Sequence, residues 1–457
     1  MRTKKVYICL SPADNCGQTT YLRGQTSVHI LCTPSKTVYI CVDNPAVPNI
    51  TLQSKILQNT QIGIFRVMSG PKFQNILAAI YMIMISFGSS NSYARKLQPH
   101  PSSSCSPVKG VYWPSWAETT FPPSAIDTTL FTHVFYAFLV PNSVTFQFDV
   151  DNSTADQLRR FTSALRSKNP PAKTLFSVGG GGADANIFAR MASSASTRKI
   201  FIDSSISVAR TFGFDGIDLD WEMPQSPKEM DDLGLLLADW RSAVRKEAIP
   251  AKSELLLTAA TYFSADFFLA NTASYRAYPV AAINANLDWI NAMCYDYHGS
   301  WDTTATGAHA ALFDPKSNIS TSYGLGQWIR AGLLRSKLVM GLPLYGRTWK
   351  LKDPSSYGIG APAVDVGPGS GTLTFNEIQR FNTENNATVV YDAVTVSAYS
   401  AAGTSWIGYD NPTSISVKVK YAKQLKLCGY FFWAAVGDDK WVISKQAKQS
   451  WDVDYLH

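Results

Sequence analysis

The chain has 457 residues, 46% of them hydrophobic and 12% aromatic, which is ample for a large folded core. Its formal net charge is +7, but residues 1–67 carry seven Lys/Arg against two Asp/Glu and Lys72 is the only charge over residues 68–94, so residues 95–457 keep about +1. That near-neutral body lacks the basic footprint of a nucleic-acid-binding protein, and none is expected as a partner.

In chain order, the first informative segment begins at Met68. Lys72 precedes the apolar run Ile76 to Ile85, and Ser92 and Ala94 supply the small residues that a signal peptidase requires. A positive n-region, a short h-region and such a site read as a secretory signal peptide over residues 68–94, too short to span a bilayer. Secretory signals stand at the start of a chain. Met68 is therefore expected to be the true start, and residues 1–67 an upstream extension of the gene model with little structure. A small N-terminal domain and an uncleaved signal anchor are the alternatives. Residues 5–9 (Lys-Val-Tyr-Ile-Cys) nearly recur at 37–41 (Thr-Val-Tyr-Ile-Cys), as in a repetitive translated stretch. Four cysteines lie in that extension, leaving Cys105, Cys294 and Cys428. So sparse and odd a set makes no disulfide framework, and Cys294 and Cys428, in apolar surroundings, read as small core residues. The acceptor patterns at Asn152, Asn318 and Asn386 are compatible with secretion.

A Ser/Pro-rich linker over residues 95–106 leads into strand, loop and helix, repeated. Eight short apolar or β-branched runs stand out: Gly110–Trp113, His133–Phe138, Thr174–Val178, Gly216–Trp221, Leu255–Ala260, Trp289–Tyr295, Leu338–Leu344 and Gly429–Trp433. Amphipathic stretches such as Lys199–Phe212, Met230–Glu247, Ser322–Leu334 and Ile415–Leu427 lie between them. The alternation predicts an α/β fold with parallel pairing, a closed (β/α)₈ TIM barrel over residues 107–455. A doubly wound open sheet is the rival, but no Gly-x-Gly-x-x-Gly turn follows the first run. The seventh and eighth runs stand far apart, and residues 350–411, rich in Gly, Ser, Thr and aromatics, read as an inserted α+β lobe.

The chemistry concentrates in Asp215-Gly216-Ile217-Asp218-Leu219-Asp220-Trp221-Glu222. On a strand, Ile217, Leu219 and Trp221 face one way and Asp218, Asp220 and Glu222 the other, like positions lying about 6.5–7 Å apart. Three carboxyls on one buried face cannot all ionise, so protons are shared and at least one pKa rises. A carboxylic acid then stays protonated near neutral pH and can protonate a leaving group. An exposed acidic strand or a calcium loop is the bland alternative, although a calcium loop favours Gly and Asn between its ligands.

That motif resembles the signature of glycoside hydrolase family 18, the chitinases, and its surroundings resemble the plant class V members. The resemblance implies that Glu222 is the general acid and that the substrate's own 2-acetamido carbonyl is the nucleophile, a scheme outside the two-carboxylate rule. Asp220 would orient the acetamido group, Asp218 would share a proton with Asp220, and Asp215 would be structural. Met293-Cys294-Tyr295-Asp296 is similar to the family's Met-x-Tyr-Asp, giving Tyr295 a catalytic hydroxyl and Met293 and Asp296 substrate contacts. Ser177-Val178-Gly179-Gly180 resembles Ser-x-Gly-Gly, with Ser177 bonding the proton-sharing aspartate. Trp433 would floor the cleaved sugar's subsite, Tyr112 would line it, and Tyr345 and Arg347 would face substrate. Trp113, Trp116, Trp301 and Trp349 stand open between subsite and core. Met223 replaces the tyrosine of many relatives after the acid, removing an acceptor-side aromatic.

These features imply a secreted endo-type chitinase acting as a monomer on chitin or chitooligosaccharides, with retention, no cofactor, no metal and no stable membrane association after signal cleavage. The cell exterior is the expected destination, and the vacuole the alternative. A chitinase-like lectin is the rival function, but it would have lost one of the acids; a receptor ectodomain would need a downstream span and kinase. N-terminal sequencing of secreted material is expected to begin near Arg95, and a start at Met1 would refute this reading of the leader.

Overall fold

The computed structural model describes residues 106–248, 253–269 and 274–453, together with five strands between Thr19 and Arg66. The chain divides into two compact units, Met1–Ser102 and Ser103–His457. In the first, Thr19–Arg23, Thr26–Cys32, Thr37–Asp43, Thr51–Lys55 and Ile64–Arg66 pair antiparallel, each with the next. Runs such as Thr-Ser-Val-His-Ile-Leu-Cys are rich in the residue types that suit strands. The signal-peptide reading of residues 68–94 lies outside the described residues.

In the second unit eight strands close into a barrel: β1 (Val108–Pro114), β2 (His133–Leu139), β3 (Lys173–Gly179), β4 (Gly216–Asp220), β5 (Leu256–Tyr262), β6 (Trp289–Met293), β7 (Leu338–Pro343) and β8 (Gly429–Trp433). Each pairs parallel with its neighbour in sequence, and β8 closes on β1. The TIM barrel read from the eight apolar runs is therefore present. Helices begin where short polar residues cap free N–H groups: Asp151 accepts from Thr154 before Asn152–Arg166, Ser194 from Thr197 before Ala195–Phe212, and Ser226 from Glu229 before Pro227–Glu247. Gly213 ends the second of these in a left-handed conformation, φ 74°. Along Asn152–Arg166, Ala155, Leu158, Phe161 and Leu165 recur at helical spacing and are buried against the barrel.

Two insertions rise from this frame. A hairpin, Asp266–Leu269 with Ser274–Ala277, follows β5 and has no counterpart in the sequence reading. The lobe between β7 and β8 is a six-stranded antiparallel sheet with the helix Phe375–Glu384. Its central strand Tyr345–Leu351 starts immediately after β7, earlier than the expected boundary near residue 350. Trp349 and Trp406, both 0% exposed, meet edge to face at 5.4 Å in the lobe core. Trp113 is likewise buried in the barrel wall. Neither is a sugar platform. Cys428 is buried in the core, as its apolar surroundings suggest, and is disulfide-bonded, where no disulfide framework was expected; Cys294 is free and buried. Among the described residues no helix is long and apolar enough to cross a membrane.

Lys418, on the helix Pro412–Gln424, reaches both Asp410 carboxylate oxygens at 2.6 Å and the Ala310 carbonyl, with both charged side chains buried. The pair pins the lobe's exit to the barrel. Lys418→Met would strand the Asp410 charge, and a loss of about 3–5 kcal/mol in unfolding free energy is expected from denaturant titration.

Candidate active site

Parallel register builds the first layer of the site. Ser177 on β3, Asp218 on β4 and Thr258 on β5 are direct Cα partners across two ladders, so their side chains enter the barrel interior side by side. Asp218 is fully buried. Its Oδ2 accepts from the Ser177 hydroxyl and the Tyr112 hydroxyl, both at 2.8 Å, and its Oδ1 accepts from Thr258 Oγ1 at 2.6 Å. The Tyr112 oxygen in turn accepts from Asn291 Nδ2 at 3.0 Å, and the Trp289 indole N–H donates to Asn291 Oδ1 at 3.0 Å. Burial raises the Asp218 pKa, and the three hydroxyl donors offset only part of that rise.

Asp220 lies two residues further toward the strand ends, with Gly179 as its partner. A Cβ on Gly179, at φ 110°, would stand 2.2 Å from the Asp220 carbonyl oxygen, so only glycine fits there. Gly180, at φ 86°, donates its N–H to that same carbonyl at 2.9 Å. The Asp220 carboxyl is buried and shares a hydrogen bond with Glu222. Its Oδ1 receives no N–H or O–H donor from the described residues. Its pKa is held well above the ordinary value by burial, then by the charges of Glu222 and Asp218.

Glu222 stands just past the end of β4. Burial, then the negative charge of Asp296, lifts its pKa to about 7, against the opposing hydrogen bond from Asp220. Asp296 follows β6 in a left-handed backbone conformation, φ 60°. Such a conformation is uncommon outside glycine and tends to persist at functional sites. Its Oδ1 accepts from Arg347 Nε and pairs with Arg347 Nη2, both at 2.8 Å, while Arg347 Nη1 donates to Thr372 Oγ1 at 2.9 Å. Burial works to raise the Asp296 pKa, but His309, Arg347 and Tyr345 outweigh it and hold the carboxyl below its ordinary value. The Tyr295 hydroxyl is kept protonated, its pKa pushed well up by burial and then by Tyr345 and the nearby acids.

These groups open on a cleft of about 680 Å³ lined by Asp220, Glu222, Met293, Tyr295, Asp296 and Trp433. Trp433 stacks on Phe138 at 5.5 Å and 20°, and Trp116, 66% exposed, extends the aromatic surface from 6.4 Å away. Gly179 and Met223 also line the cleft. Trp301 is exposed, with the Arg347 guanidinium 5.2 Å over its ring.

Three residues sit otherwise than the sequence suggests. Tyr112 does not line the subsite: it is 1% exposed, stacked on Phe135 at 4.6 Å, and spends its hydroxyl on Asp218. Tyr345 is buried behind Asp296, and Arg347 is engaged with Asp296 and Thr372. Asp215 sits at the base of β4, where its carboxylate accepts from the Thr174 backbone N–H at 2.8 Å and the Thr174 hydroxyl at 3.2 Å. Sequence reasoning missed Thr258, Asn291, Phe138, Tyr262 and His309. For the first two the signal was present, a polar residue in the middle of an otherwise apolar strand run. Among the described residues no group of three or more His, Cys, Asp or Glu side chains is disposed to hold a metal ion.

Residues 109–438 match the family model described as Glycosyl hydrolases family 18. The chain is 49% identical over 347 residues to Class V chitinase CHIT5b of Medicago truncatula, covering 75% of this chain and 90% of the relative. It is 50% identical over 348 residues to Nod factor hydrolase protein 1 of the same species, covering 75% and 89%. A mutant class V chitinase from Nicotiana tobaccum, solved in complex with NAG4, superposes with a TM-score of 0.72 at 41% identity, covering 76% of this chain and 100% of that one.

With the Glu222 pKa near 7, an acid function requires its proton, so kcat/KM on an oligosaccharide should fall as pH rises through about 7. Asp296→Asn removes the negative charge that helps hold that proton. The alkaline limb of the pH–rate profile should then move to lower pH, and an unmoved limb would show that burial alone sets it.

Proposed function

Because this chain belongs to glycosyl hydrolases family 18, we propose that it is a secreted chitinase cleaving β-1,4-linked N-acetylglucosamine chains with retention through the substrate's own acetamido group. It is a glycoside hydrolase by family, and class V chitinases are among its relatives. The observation that carries the finer reading is the pair of buried acids Asp220 and Glu222 opening on one cleft with Tyr295 and Trp433.

Glu222, still protonated near neutral pH, gives its proton to the glycosidic oxygen as the bond to the anomeric carbon breaks. The acetamido carbonyl oxygen closes on that carbon to form an oxazolinium ion. Asp220 bonds the acetamido N–H once its carboxyl turns from Glu222, and Tyr295 donates to the acetamido oxygen, so the nucleophile is held in place before attack. Water then adds to the anomeric carbon from the face the leaving group vacated, the bond to the acetamido oxygen breaks, the water's proton passes to the Glu222 carboxylate, and the product keeps the β configuration. Trp433, on Phe138, offers an apolar face to the sugar ring in the cleaved position. That a related class V chitinase mutant is solved with NAG4 supports the ligand class. The signal-like stretch over residues 68–94 supports a destination outside the cell or in the vacuole.

Hydrolysis of an N-acetylglucosamine hexamer should release β-anomeric products, and Glu222→Gln should lower kcat by about 10²–10⁴-fold with the fold intact. Tight binding of the hexamer without cleavage by the unmutated protein would replace the enzyme with a lectin.

A further inference from the structure

His309 is a buried titratable side chain that the steps above do not use. It lies in the loop between β6 and the helix Thr321–Arg330 and is 1% exposed, and neither ring nitrogen has a hydrogen-bond partner among the described residues. Burying an imidazole with both nitrogens unsatisfied is costly, so the position calls for an explanation. The ring lies 5.1 Å from that of Tyr345, and its Nδ1 stands 3.7 Å from Asp296 Oδ1. That is about 1 Å beyond hydrogen-bond length, within reach of a small carboxylate rotation. Asp296 Oδ1 is the atom that Arg347 already grips, while the carboxyl remains about a third exposed and lines the cleft beside Glu222.

We infer that His309 is a positioning residue: when a sugar ring seats in the cleft, its Nδ1–H donates to Asp296, fixing that carboxylate against substrate and beside Glu222. The inference rests on the chitooligosaccharide reading above. The charged and titratable groups around this contact are few and named. Arg347 and Tyr345 come from the lobe strand, Glu222 and Asp220 from β4, and Tyr295 from the end of β6. On the far side Lys418 holds the Ala310 carbonyl next to His309, its charge matched by Asp410. In the free cleft Arg347 holds Asp296 by direct hydrogen bonds, while His309 acts on it from 3.7 Å. With the histidine bond added, the carboxylate is held from two directions, and protonating it becomes harder.

His309→Phe keeps a planar ring against Tyr345 and removes both nitrogens. With the hexamer as substrate, the acid limb of kcat, which reports the substrate-bound enzyme, should move to higher pH by about one unit, which is about tenfold in rate at the foot of the limb. The alkaline limb should stay in place. His309→Gln, which keeps a donor, should restore most of the acid limb. In an Asp296→Asn background the His309→Phe effect should vanish, because the partner has gone. An equal loss at every pH, no change, or an undiminished effect with Asp296→Asn would each overturn the inference, because each marks a purely structural histidine. If His309→Phe does not fold, the ¹⁵N resonances of the unmutated His309 ring decide it. They should shift when the hexamer binds to Glu222→Gln and should not when it binds to the Glu222→Gln/Asp296→Asn double variant; failure of either result overturns the inference. An unmutated protein that leaves the hexamer uncleaved at every pH would instead sink the function on which this rests.

Discussion

The structure turns on burying Asp218 without a counter-ion. A lone carboxylate in a low-dielectric interior is costly, and a cation beside it would have pulled its proton away and ionised its neighbours as well. Three neutral hydroxyls do something different. Tyr112, Ser177 and Thr258 solvate the carboxyl from three different strands while leaving the negative potential in place. That potential, passed up the strand, is one of the causes that keep the Asp220 carboxyl protonated, and Asp220 in turn bonds Glu222. A closed parallel barrel is what makes such solvation available. It brings Ser177 and Thr258 into register on either side of Asp218 and drops Tyr112 across the interior from β1.

The lobe enters the same electrostatics by a short route. Its central strand leaves β7 with little intervening chain, so Arg347 is carried rigidly to Asp296. Asp296 is then a hinge point of two opposing influences. Its charge helps to raise the Glu222 pKa, and its own acidity is sustained by groups contributed from outside the barrel strands. The lobe therefore does more than deepen the cleft, because after His309 its Arg347 and Tyr345 help to keep Asp296 ionised. The buried Lys418–Asp410 pair at its exit fixes the other end of that arrangement.

Much of this was legible from residue order. The eight barrel strands fall on the eight apolar runs, because a strand enclosed by helices needs apolar or small side chains on its outer face. The acids were legible because alternation with Ile217, Leu219 and Trp221 puts them on one face. What the sequence could not show was depth. Tyr112 and Trp433 both lie in apolar strand runs, yet one is buried behind the acids and the other faces the cleft. Tyr112 packs inward on Phe135, whereas Trp433 packs on Phe138. His309 was illegible for another reason. It sits in a loop with no periodicity, and its contact with Asp296 depends on a tertiary fold-back that local patterning does not encode.

The raised acids also have a thermodynamic face. Glu222 titrates near 7 when folded against 4.5 when free, and Asp218 and Asp220 are displaced in the same direction. Between those values the folded chain holds protons that the unfolded chain has released. The stabilising contribution of such a group is complete below its unfolded pKa and is lost as pH rises through its folded pKa. For Glu222 alone the difference across pH 4.5 to 7 is about 3 kcal/mol. Protons are thus ligands of the native state, and the same three carboxyls that make the barrel mouth reactive bias the fold toward mildly acidic surroundings.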